Sequence, residues 1–479
     1  MRELATDVAI IGAGTAGLNA RREVERAGKR WLLIEAGEYG TTCARVGCMP
    51  SKLLIAAAEA AHNAREARQF GVHIDPAAIQ IDGAAVMARV QRERDRFVRL
   101  VREDLEALPA EQRITGRARF SGPNTLIVDD HTRVQAHALV IATGSAPNVP
   151  KELAAAGDAL LTSDSIFEIR ALMGSVAVFG GGAIGLELGQ ALQFLGVRVR
   201  LYNPKNALGS FSDPEIARRF CEVISKAHDT VLGYEALEIE RGQGSCNVRH
   251  RLPGGAWQSA RFDRVLAATG RKPNVSALQL SAAGIALDDS GVPKFDRETM
   301  QCGTSAIFIA GDVAGDAPVM HEAVDEGAAA GANAARFPAS QALARRVPLR
   351  IGFTTPRIAT LGHSYREASE HKAVIGESSY ADQGRARVIG QTQGHVRVYA
   401  DRQNGCLSGA ELFGPGVEHT AHLLAWAVAA RLPLAELLRM PVYHPTLEEG
   451  IRTALRDAAK QLALLDDCAP ADRGQGAGG

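Results

Sequence analysis

A chain of 479 residues is too long for one hydrophobic core and is expected to divide into two to four domains. Its 54 basic and 54 acidic side chains cancel. That balance excludes a bulk attraction to nucleic acid or to a membrane surface and leaves a small molecule as the expected partner. Seven cysteines, an odd number spread over this length, do not make the framework of a stapled secreted fold.

The N-terminus, "MRELATDVAIIGAG", runs directly into an apolar strand with no room for a signal peptide, and no apolar run approaches bilayer length. A cytoplasmic protein is expected. In "DVAIIGAGTAG" the strand leads to Gly12, Gly14 and Gly17 in G-x-G-x-x-G spacing, then to the helical "LNARREVERAGK" and a second strand, "RWLLIE". Gly12 permits the tight turn, Gly14 lets the backbone approach a pyrophosphate, and Gly17 lets helix and strand pack closely. The helix N-terminus offers the phosphates unpaired N–H groups and the positive end of its dipole. Glu35 closes the second strand 18 residues after Gly17, where a carboxylate accepts hydrogen bonds from a ribose.

"YGTTCARVGCMPSK" follows, with Cys43 and Cys48 five residues apart. A reducing compartment argues against a staple, and zinc would need two further ligands that no neighbouring Cys/His cluster supplies. The apolar "LLIAAAEAA" begins a helix just after "MPSK". Cys48 therefore lies near a helix N-terminus whose dipole stabilises a thiolate, the requirement for rapid thiol–disulfide exchange. The pair reads as a redox couple. Cys221, Cys246, Cys302, Cys406 and Cys468 are scattered without metal spacing and read as packing or surface thiols.

Two later segments are alike: "ALVIATGSAPN", with Gly144, and "RVLAATGRKPN", with Gly270. Each is an apolar strand running into Thr-Gly and a turn containing proline. Between them, "SVAVFGGGAIGLELGQALQFLGVRVRLYN" repeats the glycine finger with Gly180, Gly182 and Gly185, but the residue 18 positions past Gly185 is Asn203 rather than an acid. Two fingers imply two dinucleotide cofactors, and the paired Thr-Gly segments imply that the second nucleotide domain is inserted in the first. "AIFIAGDVAG" then supplies a late strand of the first domain. Asp312 stands at its C-terminal end, where open parallel sheets bind ligands.

From about residue 346 the pattern alternates in "PRIATLGHS", "ARVIGQTQGHVRVYA" and "GCLSGAELFG", with a hairpin signal at Asn404-Gly405. Helical patterns follow in "EHTAHLLAWAVAARL" and "TLEEGIRTALRDAAKQLALL". This module has no glycine finger and is expected to serve packing or partner contact. The expected fold class is α/β: two Rossmann-like domains, the second inserted in the first, and a C-terminal α+β module. The expected boundaries are 1–147 and 272–345 for the first domain, 148–271 for the second, 346–466 for the module and 467–479 for a disordered, Gly-rich tail.

The finger, the cysteine pair, the two Ala-Thr-Gly segments, the second finger, "IAGD" and "YHPTLEEG" resemble, in this order and over nearly the whole chain, the flavin disulfide reductases, the class I FAD-dependent pyridine nucleotide-disulfide oxidoreductases. The resemblance implies FAD on the first domain, NAD(P) on the second, and a homodimer formed through the C-terminal module. It adds Gly144, Gly270 and Asp312 to the cofactor contacts. It places Cys48 beside the flavin and Cys43 toward the substrate. His444 matches the family's acid–base histidine and Glu449 the carboxylate that orients it, serving the neighbouring subunit's cysteines. Lys52 and Glu187 match an ion pair beside the flavin's reactive nitrogen, where a charge favours the reduced, anionic flavin.

Within the family, "MPSK" is closer to the lipoamide and mercuric enzymes than to glutathione reductases. The tail has only Cys468, without the vicinal cysteines of mercuric reductases or the C-terminal pair of large thioredoxin reductases. The chain therefore looks like a dihydrolipoamide dehydrogenase, acting on a small dithiol or a lipoyl domain. The alternative is an NAD(P)H-dependent reductase of another disulfide or electrophile: glutathione-like, a quinone or a metal ion. Val442 stands where lipoamide enzymes usually carry a second histidine. NAD is the expected nucleotide. NADP stays open because Asn203 lacks the charge that would repel its extra phosphate and Lys205 lies nearby.

Overall fold

The computed structural model describes residues 1–464. The expected tail and Cys468 lie outside the described residues. The first sheet has seven strands, in the order Arg113–Thr115, Trp31–Glu35, Arg2–Ile11, Thr132–Ile141, Thr125–Val128 and Ala118–Gly122, with Ile307–Ile309 pairing to Thr132–Ile141 off that path. Val8–Ile11 is buried on both faces because it runs parallel between Trp31–Ile34 and Ala138–Ile141. A strand covered on both sides reads as a continuous apolar run, as "VAII" does. The helices Thr15–Arg26 and Met320–Arg336 lie against each other over this sheet, burying Ala16, Ala20, Ala323 and Ala330 together.

The second sheet is also parallel: Thr230–Leu232, Arg198–Asn203, Ser175–Phe179, Arg264–Ala267 and Leu160–Thr162. A three-stranded antiparallel sheet, Ala236–Arg241, Cys246–Arg251 and Trp257–Phe262, packs beside it. The two sheets are joined by two chain crossings that mirror each other. Ser145–Pro147 pairs antiparallel with Arg271–Pro273, the Asn274 N–H donates to the Gly144 carbonyl, and the Asn148 N–H donates to the Gly270 carbonyl. The next regular strand, Ile307–Ile309, runs parallel to Leu139–Ile141 in the first sheet. The second nucleotide-type sheet thus sits between strands of the first, as the repeated Thr-Gly segments suggest.

The C-terminal module is a five-stranded antiparallel sheet: Leu349–Gly352, Arg357–Gly362, Leu407–Gly414, His395–Ala400 and Val374–Ser379. Helices Val417–Ala429 and Glu448–Gln461 cover it and close a core around Leu412, Leu424 and Ala458. One expectation fails here. The stretch read as a strand from "ARVIG" onward begins instead with the short helix Gly384–Val388. Gln383 starts it by accepting the Ala386 N–H at 2.7 Å, and Gly390, at φ +67°, stops it. The strand begins only at His395. No helix among the described residues is long and apolar enough to cross a membrane, and no cluster there could hold a metal ion.

Candidate active site

The two glycine fingers are built alike. Gly12 and Gly180 adopt φ +109° and +119°, and a Cβ at either would lie 2.3 or 2.2 Å from a carbonyl oxygen of the next parallel strand's end, Ala142 or Ala268. Gly17 and Gly185 press so closely on the preceding turn that a Cβ would fall within 2.0 Å of the Gly12 or Gly180 oxygen. Around Gly14, by contrast, no atom lies within 4 Å of where its Cβ would be, and Gly182 meets only Ser210 Oγ at 4.0 Å. The turn is tight where helix meets strand and open where a pyrophosphate would approach, so both cradles fit dinucleotides.

The residues at the strand ends differ. Glu35 Oε2 accepts the Ala13 N–H at 2.7 Å and Oε1 accepts the Gly37 N–H at 2.9 Å, which leaves lone pairs for a ribose. Asn203 Oδ1 accepts the Gly181 N–H at 3.2 Å, the same bond in the second finger. Its Nδ2, however, donates to the Lys205 carbonyl at 3.1 Å and the Ala207 carbonyl at 2.7 Å. Asn203 therefore closes its own loop and has no donor left for a nucleotide.

Between the fingers lies the cysteine pair. Thr41 caps the short helix Thr42–Arg45, and Cys48 is the first residue of the helix Cys48–Glu66. Leu54, Ile55 and Ala58 of that helix share a core with Leu188, Ala191 and Leu192 of the helix Ala183–Phe194. The same packing brings Lys52 Nζ to 2.8 Å from Glu187 Oε2, across 135 residues of sequence. Both cysteines are free thiols in this structure. The neighbouring Cys43 thiol pulls the Cys48 pKa down to about 6, and the Lys52 charge helps, against the opposing effect of burial. Cys43 itself is pushed far up by Cys48 and by burial. Of the two, Cys48 is thus the more acidic thiol. A cleft of about 1510 Å³ is lined by Gly40, Thr42, Val46, Asp164, Ser165 and the arginine-rich helix Gly83–Glu106, and neither cysteine lines it.

His444 lies elsewhere in the chain. Its Nδ1 is 2.8 Å from Glu449 Oε1, and the other Glu449 oxygen accepts the Thr446 N–H at 3.0 Å. The carboxylate is thereby aimed, yet the imidazole is 69% exposed and makes no hydrogen bond to the cysteine segment of its own chain. Asp312 Oδ2 accepts from Ser145 Oγ at 2.8 Å, and Arg271 joins Ser145 to Asp164 at 2.8 and 2.7 Å. Sequence reasoning singled out Asp312 but not this chain of contacts tying the domain crossing to the strand end. Nor did it find Phe353, whose N–H donates to Glu187 Oε1 at 2.8 Å and whose ring centre lies 4.8 Å from Lys52 Nζ. No local pattern marks an apolar residue for such a place.

The model of the pyridine nucleotide-disulphide oxidoreductases matches residues 6–327, and that of their dimerisation domain matches residues 349–455. The chain belongs to this family. It is 28% identical to a dihydrolipoyl dehydrogenase of Bacillus subtilis over 94% of this chain and 97% of that one. It is 30% identical to dihydrolipoyl dehydrogenase 2 of Haloarcula marismortui over 94% and 96% of the two chains. The fold is similar to that of LpdA from Mycobacterium tuberculosis, with a TM-score of 0.80, 23% identity, and coverage of 94% and 99%. The protein is a flavoprotein disulfide oxidoreductase using FAD and NAD(P), and its dimerisation domain makes it a homodimer. Its substrate is a dithiol or disulfide.

Proposed function

We propose that the protein is a dihydrolipoyl dehydrogenase, oxidising dihydrolipoamide, free or on a lipoyl domain, with NAD as acceptor, in the cytoplasm. The observation that carries the reading is the placement of the pair: Cys48 begins the helix Cys48–Glu66, Cys43 lies in the short helix just before it, and the Lys52–Glu187 ion pair stands one turn along. The catalytic residues are Cys43, Cys48, His444 and Glu449. Gly12, Gly14, Gly17, Glu35, Gly144 and Asp312 serve FAD, the Lys52–Glu187 ion pair stands on the flavin side, and Gly180, Gly182, Gly185 and Gly270 serve the nicotinamide nucleotide, with Asn203 shaping the loop of that cradle. Domain limits follow the crossings near residues 147 and 271.

The cycle starts from a Cys43–Cys48 disulfide. His444 of the neighbouring subunit, held in one tautomer by Glu449, takes the proton of one substrate thiol, and the thiolate attacks Cys43 Sγ. The Cys43–Cys48 bond breaks and Cys48 leaves as the thiolate that Lys52 stabilises. The second substrate thiol then attacks the substrate sulfur bound to Cys43, closing the substrate disulfide and expelling Cys43, which takes up this second thiol's proton while the first stays on His444. Substrate has lost two electrons and two protons, and the cysteine pair holds both electrons. FAD, when bound, relays these two electrons from the thiols to NAD.

The test is anaerobic addition of dihydrolipoamide and then NAD to the purified holoenzyme, following the long-wavelength absorbance of a thiolate–flavin charge-transfer complex. The band should appear with the dithiol and decay as NADH forms. A band raised by NAD(P)H but never by dihydrolipoamide would reassign the substrate to another disulfide.

A further inference from the structure

The helix Ala183–Phe194 devotes two buried side chains to one strip of backbone in the C-terminal part of the chain. Glu187 and Gln190 are 6% and 3% exposed, and their spacing of three puts them on one helix face. Glu187 holds Lys52 Nζ with one oxygen and accepts the Phe353 N–H with the other, both at 2.8 Å. Gln190 grips Thr355 with both ends of its amide: Oε1 accepts the Thr355 N–H at 2.8 Å and Nε2 donates to the Thr355 carbonyl at 2.9 Å. The other Nε2 hydrogen reaches His228 Nε2 at 2.8 Å, and His228 Nδ1 is bonded in turn to Gln193 Oε1. With the imidazole proton on Nδ1, each of these bonds has one donor and one acceptor. Burial keeps His228 neutral by lowering its pKa to about 4.

The grip positions Phe353. Lys52 Nζ lies 4.8 Å from the centre of its ring, a cation–π contact. Arg357, paired with Glu59 and Glu418, lies 5.7 Å from the same ring and ties the strip to the redox helix and to the helix Val417–Ala429. Lys52 is therefore located by two contacts, Glu187 and the ring, and both lean on residues 353–355. We propose that Gln190 is a positioning residue for the flavin-side charge: by fixing Thr355 it sets Phe353, and through Phe353 and Glu187 it sets the place of the Lys52 ammonium. This rests on the reading of Lys52 and Glu187 under the proposed function.

The experiment compares Gln190→Met, which keeps the bulk and removes the amide, with Lys52→Met, Phe353→Leu and the double variant Gln190→Met/Lys52→Met, all as holoenzymes. In Gln190→Met the flavin midpoint potential should shift in the same direction as in Lys52→Met, and the charge-transfer absorbance of the two-electron-reduced enzyme should weaken. The kcat should fall by about ten- to a hundredfold, a displacement of about 1 Å at the reacting centre costing up to about a hundredfold, with little change in KM for the nicotinamide nucleotide. Phe353→Leu, which leaves the amide intact, should give the same pattern, and Gln190→Met should add nothing once Lys52 is Met. The proposal is overturned if Lys52→Met moves potential and absorbance while Gln190→Met and Phe353→Leu move neither. It is equally overturned if the effect of Gln190→Met persists in full without Lys52. If Lys52→Met itself moves neither quantity, the ion-pair reading falls and takes the proposal with it, a result distinct from the other two.

Discussion

At the scale of single residues, the cysteine pair makes a prediction about pH. A Cys48 pKa of about 6 means that the thiolate is present above that pH and is lost by protonation as pH falls through it. The long-wavelength absorbance of the reduced enzyme should follow the same curve. The largest cause of the lowered pKa is the neighbouring Cys43 thiol, and a hydrogen bond from a thiol to a thiolate would be worth about 1.5–3 kcal/mol. Cys43→Ala should therefore raise the midpoint by about one to two pH units, and an unmoved midpoint would transfer the credit to Lys52. Asn203 makes a second prediction, against intuition. An acid at a strand end is the usual signature of NAD, but Asn203→Asp would set a carboxylate oxygen against the Lys205 and Ala207 carbonyls that Nδ2 now bonds. The loop should lose about 1–3 kcal/mol, and kcat/KM should fall with NADH and NADPH alike. A rise with NADH alone would show that the side chain faces the nucleotide after all.

At the scale of elements, the fingers and the redox helix are legible because their chemistry is local: strand, turn and helix follow one another within about thirty residues. What is joined across the chain is not legible. Lys52 meets Glu187 over 135 residues and Gln190 meets Thr355 over 165, and only family resemblance pointed to the first of these. The start of the helix Pro214–Ala227 shows the same limit. Asp213 caps it through the Glu215 N–H at 2.9 Å, an ordinary local signal, yet the same buried carboxylate also receives Arg397 at 2.6 Å and the Tyr399 hydroxyl at 3.0 Å from the C-terminal sheet. Beside it, Glu411 accepts the Ser212 and Asp213 N–H groups at 2.9 and 3.0 Å. This clamp fastens the loop that follows Asn203 to the C-terminal module. Asp213→Ala would leave Arg397 without its buried partner, so it should cost about 3–5 kcal/mol in denaturant unfolding. A loss below about 1 kcal/mol would mean that Glu377, 3.5 Å from Arg397 Nε, takes over.

At the scale of the whole molecule, the C-terminal module carries large apolar side chains to the surface of the single chain. Trp426 is 65% exposed and Tyr443 82%, next in sequence to the exposed His444. Exposed apolar side chains of this size suit burial against a second copy, and in a two-fold dimer each histidine can then serve the other chain's cysteines. Complementation between two inactive variants tests this arrangement without any structure of the dimer. Let one subunit carry Cys48→Ser and the other His444→Ala, each inactive as a homodimer. In a mixed dimer with shared sites, one site combines both lesions and the other combines the intact cysteines of one chain with the intact histidine of its partner. Random reassociation makes about half of the dimers mixed, each with one working site of two, so activity should return to about a quarter of the wild-type value. If each histidine served its own chain, every site in the mixture would contain one lesion and no activity would return. Dimers exchanged under conditions that keep FAD bound, assayed before and after mixing, separate the two arrangements by the presence or absence of turnover.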